Sequence, residues 1–469
     1  MLIDPKECVI LALQAVAAVQ IPLHSPIGTS SPSNNRLSKR SPVELGSGDR
    51  KCFTMKSNIH GVNLDLRVDS AVPGIIAPLS SSSNDVGLAI QSISSGKTVT
   101  INYKGDEYNG ISSTATVTIP GTRITGIDLP VILVEKQSAY LVGIDNSLKQ
   151  GILGFGYSSL SDYYTSVTAM DVLYKNDVIP RNEIGIQLCP YEMLQESFIN
   201  IGNTDITSKC GTDGNSIAWV ESPSDGYFSV NIKDILIDDK PVNLPAGFQK
   251  KMEDGHTLYS AVETCSEYMH FPGIVVAALI DAIVCSNAIT LDSFNFKHRL
   301  NNQQIKSLFW KRHLIAESYF NIKWDRLPTI TITMFTETPV TDDNRNSVVE
   351  IKLGPRDYLQ RYNSENLVFA VEVGPNYKAT LGISFMTRLG LVFDRKHARI
   401  GFGPGCGCKV ATDGYPIISD GDQVLWSSSQ LPEQPSTSGS DGTFIRRRKS
   451  KTTTDRIAVP KNVHHDKLD

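Results

Sequence analysis

The sequence has little cysteine and lacks any apolar run of the ~18 residues that a membrane-spanning helix needs. Its eight cysteines are spread over 469 residues with no Cys-x-x-Cys pair, which excludes a small disulfide-stapled scaffold and the common zinc patterns. The chain also lacks a Gly-x-Ser-x-Gly elbow, a His-Glu-x-x-His pair and a P-loop. The main sequence motifs of serine hydrolases, zinc peptidases and P-loop enzymes are therefore absent.

Charge of one sign is not in excess either. Lys plus Arg total 45 and Asp plus Glu 49, a net charge of -4, so nothing indicates nucleic acid or an anionic membrane as a partner. We expect no metal and no cofactor. Hydrophobic residues make up 40% of the chain, as in ordinary globular proteins, and the length predicts about two or three domains.

The N-terminus carries the most apolar segment, VILALQAVAAVQIPL at Val9–Leu23. It reads as the core of a secretory signal peptide over residues 1–23, with Ala15-Val16-Ala17 as a cleavage site. Asp4 and Glu7 are unusual in such a leader, and the alternative is a helix docked on the protein. The signal, together with an even number of cysteines, predicts a protein of the secretory pathway or the extracellular space.

The remainder of the chain divides by composition into four segments. We predict a linker or short pro-segment, in which Lys39-Arg40 is either a cleavage site or an exposed charge pair, then two β-rich lobes and a disordered tail. Their boundaries are 24–50, 51–205, 215–408 and 409–469.

Short β-prone runs dominate both lobes, with a few helices between them. Helices are predicted at Ser161–Lys175, from Pro272 onward and at Ile305–Tyr319. The two halves share an order: LRVDSAVPGIIAP and GILGFG in the first, LYSAVETCSEYMHFP and ATLGIS in the second. This order indicates an internal duplication.

These motifs resemble the pepsin-type aspartic proteases, and most closely the β-secretase branch. That family has Asp-Thr/Ser-Gly-Ser/Thr once in each lobe; here Asp69-Ser70-Ala71-Val72 and Glu263-Thr264-Cys265-Ser266 take those positions. The resemblance covers roughly residues 51–408. It implies a mainly β, bilobal fold with a few short helices and a central cleft for a peptide or protein substrate, in a chain expected to be a monomer.

The resemblance also implies a site. Asp69 and Glu263 would be the catalytic pair, which in the family shares one proton and activates a water against the peptide carbonyl. Ser70 and Thr264 would join the two loops, and Tyr103 would close a flap over the substrate. Cys189 would pair with Cys406 or Cys408, closing a long loop; Cys52, Cys210 and Cys285 stay unassigned.

Four departures from the family pattern fall around this pair. Glu263 is one methylene longer than aspartate, a displacement of about 1 Å that costs on the order of 100-fold in rate. Ala71 and Cys265 replace glycines and would crowd the amides that approach the carboxylates, with Cys265 adding a thiol. Val72 replaces a hydroxyl residue that would bond to Asp69. We therefore expect a peptide-binding homologue with impaired catalysis; the alternatives are an active endopeptidase with an acidic optimum and a non-enzymatic interaction protein.

Overall fold

The computed structural model describes residues 20–22, 52–79, 90, 96–103, 106–120, 122–134, 150–157, 167–190, 197–202, 217–224, 226–250, 257–291, 301–405 and 414–425. The described residues all belong to one compact unit, which lies within residues 1–431; residues 432–469 lie outside the described residues. Within the described residues, no helix has the length and apolarity to span a membrane.

The strands of the first half are β1 (Gln20–Pro22), β2 (Thr54–Ile59), β3 (Val62–Asp69), β4 (Ile75–Pro78), β5 (Lys97–Tyr103), β6 (Asp106–Thr118), β7 (Ile127–Val134), β8 (Gln150–Gly154), β9 (Glu183–Gln187) and β10 (Phe198–Ile201). Those of the second half are β11 (Ala218–Glu221), β12 (Ser229–Val230), β13 (Ile232–Ile237), β14 (Lys240–Pro241), β15 (Ser260–Val262), β16 (Met269–Phe271), β17 (Ile289–Leu291), β18 (Ile315–Ala316), β19 (Phe320–Ile322), β20 (Ile330–Phe335), β21 (Val348–Leu353), β22 (Leu359–Arg361), β23 (Asn366–Phe369), β24 (Val371–Val373), β25 (Thr380–Leu381), β26 (Leu389–Asp394), β27 (Arg399–Pro404), β28 (Ile417–Asp420) and β29 (Gln423–Leu425). The helices are α1 (Ala169–Lys175), α2 (Gly273–Cys285), α3 (Asn302–Trp310), α4 (Pro355–Tyr358) and α5 (Ile383–Met386), with a 3-10 turn at Trp324–Arg326.

The two halves repeat one strand arrangement. In the first, β3 runs parallel to β8, with Val68 opposite Leu153; in the second, β15 runs parallel to β25, with Val262 opposite Leu381. Next to them, β4 is parallel to β7 and antiparallel to β8, as β16 is parallel to β24 and antiparallel to β25. The predicted internal duplication is thus present in the topology.

Two equivalent glycines stand at the ends of β8 and β25: Gly154 is the last residue of β8, and Gly382 directly follows β25. A Cβ on Gly154 would overlap the backbone of Val72, and one on Gly382 would overlap the carbonyls of Ser266 and Tyr268. Both glycines therefore let a backbone pass directly against the loop that follows an acidic residue. This is the reason for the repeated Leu-Gly pair in the sequence.

A six-stranded sheet, in the order β1-β10-β9-β26-β27-β11, draws strands from both halves. An aromatic cluster joins the halves as well: Phe228 lies 5.9 Å from Phe155 and 4.8 Å from Phe393 between ring centroids. Since all three side chains are fully buried, the hydrophobic core is shared by both halves.

Arg395, directly after β26, adds a polar tie to this core. Its guanidinium donates to the carbonyl oxygens of Phe155, at 2.6 Å, and Gly156. It also donates to Thr168 Oγ1 at 3.0 Å and Asp171 Oδ1 at 3.1 Å, at the start of α1. The late strand of one half is thereby bonded to the first half by a buried charge.

Two of the three predicted helices have other bounds than expected, while the helix predicted from Pro272 runs from Gly273 to Cys285. The first begins only at Ala169, because the Thr168 hydroxyl caps it in a capping box with Asp171; residues 158–166 lie outside the described residues. The second has Pro272 as N-cap and begins at Gly273. The third covers Asn302–Trp310, and Ile315–Ala316 then forms a strand against β23, so the prediction of a helix to Tyr319 is wrong.

The prediction that the tail begins at 409 is also wrong in part. Strands β28 and β29 form a hairpin that pairs with β21, with Ile351 opposite Ile418. Ile418 and Leu425 join the core. Strand β28 pairs with the edge of β21 and so provides partners for its backbone N–H and C=O groups. The second half therefore extends to residue 425. The segments 24–50 and 426–469 lie outside the described residues, whereas Gln20–Pro22 pairs with Phe198–Asn200.

Candidate active site

Ser70 and Thr264 join the two halves by reciprocal hydrogen bonds. The Ser70 N–H donates to Thr264 Oγ1 at 2.9 Å, and the Thr264 N–H donates to Ser70 Oγ at 3.1 Å. Each hydroxyl then donates to the opposite strand, Ser70 to the Val262 carbonyl and Thr264 to the Val68 carbonyl, both at 2.8 Å. The loops that carry Asp69 and Glu263 are thus fixed to one another immediately after the two acidic residues.

Asp69 ends β3 and is completely buried. Its carboxylate Oδ1 accepts a hydrogen bond from the Ala71 N–H at 2.8 Å, and its backbone carbonyl accepts from the Phe155 N–H at 3.0 Å. A Cβ at position 71 was expected to crowd this contact, but the Ala71 amide reaches the carboxylate at hydrogen-bonding distance. The loop closes tightly enough without glycine at 71.

Glu263 occupies the equivalent position after β15 and is partly exposed. Its backbone N–H donates to the Leu381 carbonyl at 3.0 Å. Burial raises the pKa of Tyr227 to about 12, and the nearby side chains of Glu263 and Tyr377 add to the rise. Tyr227, whose hydroxyl donates to the Tyr259 carbonyl at 3.1 Å, thus stays protonated beside the second carboxylate.

The side chain of Val72 is apolar and cannot form a hydrogen bond with Asp69. It is buried in a small apolar cluster with Ile76, Ile101, Tyr108 and Ile152. Its carbonyl accepts from the Gly156 N–H at 2.8 Å. The residue therefore packs under the loop and leaves the outer side of Asp69 without the hydroxyl that the resemblance implies.

Cys265 is not a free thiol beside the acidic pair. It forms a disulfide with Cys52, with 4.5 Å between the Cα atoms and a sequence separation of 213. Sequence reasoning left Cys52 unassigned. Its position in the sequence could have indicated that it lies close to Asp69. The tight hairpin turn at His60-Gly61 pairs residues at equal distances on its two sides, and Cys52 and Asp69 are at equal distances from this turn.

The other predicted site residues are less closely connected with this centre. Tyr103 ends β5 opposite Asp106, at the tip of the hairpin with β6, and its role as a flap residue stays a prediction. Cys189 is buried and disulfide-bonded. Cys406 and Cys408 lie outside the described residues, so the choice between them as its partner stays a prediction.

One group of side chains has the spacing of metal ligands: the sulfurs of Cys52 and Cys265 and a carboxylate oxygen of Asp69 lie within 4.8 Å of one another. The two sulfurs are bonded to each other, so in this state they offer no thiolate to an ion.

A family model for eukaryotic aspartyl proteases matches residues 89–405, more than half of the chain. The chain belongs to this family. The match includes the loop of Glu263 but begins after Asp69. The roles of Asp69 and Glu263 as a catalytic pair stay predictions. A search of curated proteins found no match. As in the pepsin-like fold of the family, the chain is mainly β with a few short helices.

Proposed function

We propose that this aspartyl protease homologue, of the β-secretase-like branch, binds peptides between its two halves and has impaired peptidase activity. The proposal rests on a contrast around Asp69 and Glu263 between contacts that match the family pattern and residues that depart from it. The Ser70–Thr264 bonds and the Ala71–Asp69 contact are intact, while Glu263 and a bridged Cys265 stand where the family has aspartate and glycine.

Impairment follows from geometry. The family reaction needs two carboxylates that share one proton over a single water. The added methylene of Glu263 moves its carboxylate by about 1 Å relative to an aspartate, and a misplacement of this size costs on the order of 100-fold. Binding needs only the cleft and its hydrogen-bonding groups, so it tolerates this change better than catalysis does.

The second candidate is an active aspartic endopeptidase with an Asp69/Glu263 pair. The Ala71 N–H that donates to Asp69 at 2.8 Å favours it, because one carboxylate keeps the family's backbone contact. The third is an interaction protein that uses neither carboxylate. Buried disulfides at Cys265 and Cys189 support a secretory location for all three candidates.

A peptide library assayed between pH 3 and 6 separates the candidates. We expect tight binding of a peptide mimic that carries a transition-state hydroxyl, with turnover at least about 100-fold below that of an active family member. Asp69→Asn is the matched control, since it removes the charge and keeps the shape. Robust turnover abolished by Asp69→Asn would establish the active enzyme instead, and the absence of any peptide binding would leave the interaction protein.

A further inference from the structure

The disulfide lies against the acidic centre because two separate elements place its cysteines there. In the first half, β2 and β3 pair with Thr54 opposite Arg67, and the Val68 N–H donates to the Phe53 carbonyl at 2.9 Å. Two further steps of this antiparallel register bring Cys52 opposite Asp69. Cys52 is thereby fixed by the strand that carries the first carboxylate.

Cys265 is placed by the second half. It follows Thr264, which the Ser70 bonds hold, and its Sγ lies 3.5 Å from the Val68 carbonyl oxygen. A second tie at this loop is the Ser266 N–H, which donates to the Glu263 carbonyl at 3.3 Å. The loop carrying Glu263 is thus held by hydrogen bonds at 264 and by a covalent bond at 265.

We propose that the Cys52–Cys265 disulfide is a redox-sensitive positioning element, which fixes the Glu263 loop on the strand of Asp69 and sustains peptide binding there. The binding half of this statement rests on the proposed function. The reductant is a dithiol: it breaks the S–S bond, each cysteine sulfur gains one electron and one proton, and the dithiol is oxidised to its own disulfide.

Because the Cys52–Cys265 disulfide is buried, we expect its reduction to be slow. Both cysteines are 1% exposed, so a dithiol reaches the bond only when the two halves part locally. A ligand that spans the halves opposes this opening. Reduction in the folded protein is therefore expected to be slower with a bound peptide mimic than without it.

The experiment compares the oxidised full chain with the double variant Cys52→Ala/Cys265→Ala, which removes this bond and leaves the disulfide of Cys189. Cys285→Ala is the control, because Cys285 is a free, exposed cysteine. Amide hydrogen exchange is followed in 260–271 and in α2, and binding of the hydroxyl peptide mimic is measured across pH 3 to 6. If the disulfide stabilised only the fold as a whole, its removal would raise the exchange rate equally in both segments.

We expect about tenfold faster exchange confined to 260–271 and about tenfold weaker binding in the double variant, with no change in Cys285→Ala. Wild-type protein that is folded first and then reduced, with the thiols mapped by alkylation, should show the same changes in exchange rate and in binding. This measurement replaces the double variant if that variant fails to fold. Unchanged exchange in 260–271 would overturn the proposal. Exchange that rises locally in a protein that binds no peptide would keep the positioning role and refute the proposed function.

Discussion

Ser70 and Thr264, 194 residues apart, exchange two hydrogen bonds between backbone and side chain, with each hydroxyl also bonded to the other's strand. All four hydrogen bonds are buried. Because a buried group left without a partner costs more than the bond itself contributes, this exchange is the polar joint on which the acidic centre depends.

Thr264→Val tests that joint. Valine keeps the branched shape but leaves the Ser70 N–H and the Val68 carbonyl without the Thr264 hydroxyl, so we expect a loss of about 2–4 kcal/mol in the free energy of unfolding. Urea unfolding measures it. Thr264→Ser keeps the hydroxyl and should lose less than half as much; equal losses would show that packing of the methyl group, not the hydrogen bonds, supports the loop.

The ion pair of Arg395 and Asp171 should persist under acid conditions. Burial alone would raise the pKa of Asp171, but Arg395 and hydrogen bonds from Thr168 and Asn182 hold it below its ordinary value of 3.8. A lowered folded pKa contributes stability that is present above pH 3.8 and is lost as the pH falls through the folded value.

Asp171→Asn should therefore cost about 3 kcal/mol at pH 7 and nearly as much at pH 5, because it leaves the buried Arg395 charge without its partner. Thermal unfolding as a function of pH measures the difference. Asp177→Asn, at an exposed position two residues beyond the end of the same helix, removes the same charge and should change little. A cost that already vanishes at pH 5 would contradict the lowered pKa.

Removing the charge of Glu263 should lower the pKa of Tyr227 from about 12. The value should remain above 10, because burial is the larger cause of the rise. NMR titration of the tyrosine ring carbons in Glu263→Gln checks this. Glu267→Gln is the matched control, since Glu267 raises the pKa of Tyr268 instead; an unmoved Tyr227 in Glu263→Gln would show that the Glu263 carboxylate points away from it.

The duplicated fold could be predicted because its sequence signals are local and repeated. Asp69 ends β3, and Glu263 directly follows β15. The first strand runs parallel to β8, which ends at Gly154, and the second runs parallel to β25, which Gly382 directly follows. The hydrophobic pattern fixes such strands, and the two glycines mark the close backbone approaches. The same signals put Asp69 and Glu263 at equivalent positions in the two halves, and their role as a catalytic pair stays a prediction.

What the sequence did not predict depends on pairing over long distances. Cys52 and Cys265 are 213 positions apart, and eight cysteines allow too many pairings for the sequence to choose one. Ile418 pairs with Ile351 in a sheet edge that composition alone does not reveal. The Ala71 contact depends on a loop conformation, which residue type only constrains.

The last prediction concerns restoring activity, and the disulfide changes how the variant must be built. Glu263→Asp alone should not restore cleavage, because Cys265 and Val72 remain. Replacing Cys265 by glycine leaves Cys52 unpaired, so Cys52→Ala must accompany it. Ala71→Gly should add little, since the Ala71 N–H already donates to Asp69 at 2.8 Å.

We therefore expect Glu263→Asp, Cys265→Gly, Val72→Ser and Cys52→Ala together to exceed the sum of their separate gains, because residues of a catalytic pair act as a unit. Each restored contact to a charged group is worth about 1.5–3 kcal/mol. The measurement is the initial rate on a peptide pool at pH 4, with the same variant carrying Asp69→Asn as the inactive control. Val72→Ser removes a buried apolar side chain, so unfolding of each variant is measured beside its rate. Because this variant also lacks the Cys52–Cys265 disulfide, its binding of the peptide mimic is compared with that of Cys52→Ala/Cys265→Ala. A folded combined variant that binds the mimic no more weakly than this reference, yet has no activity, would mean that more of the site than the acidic pair has departed from that of the active proteases.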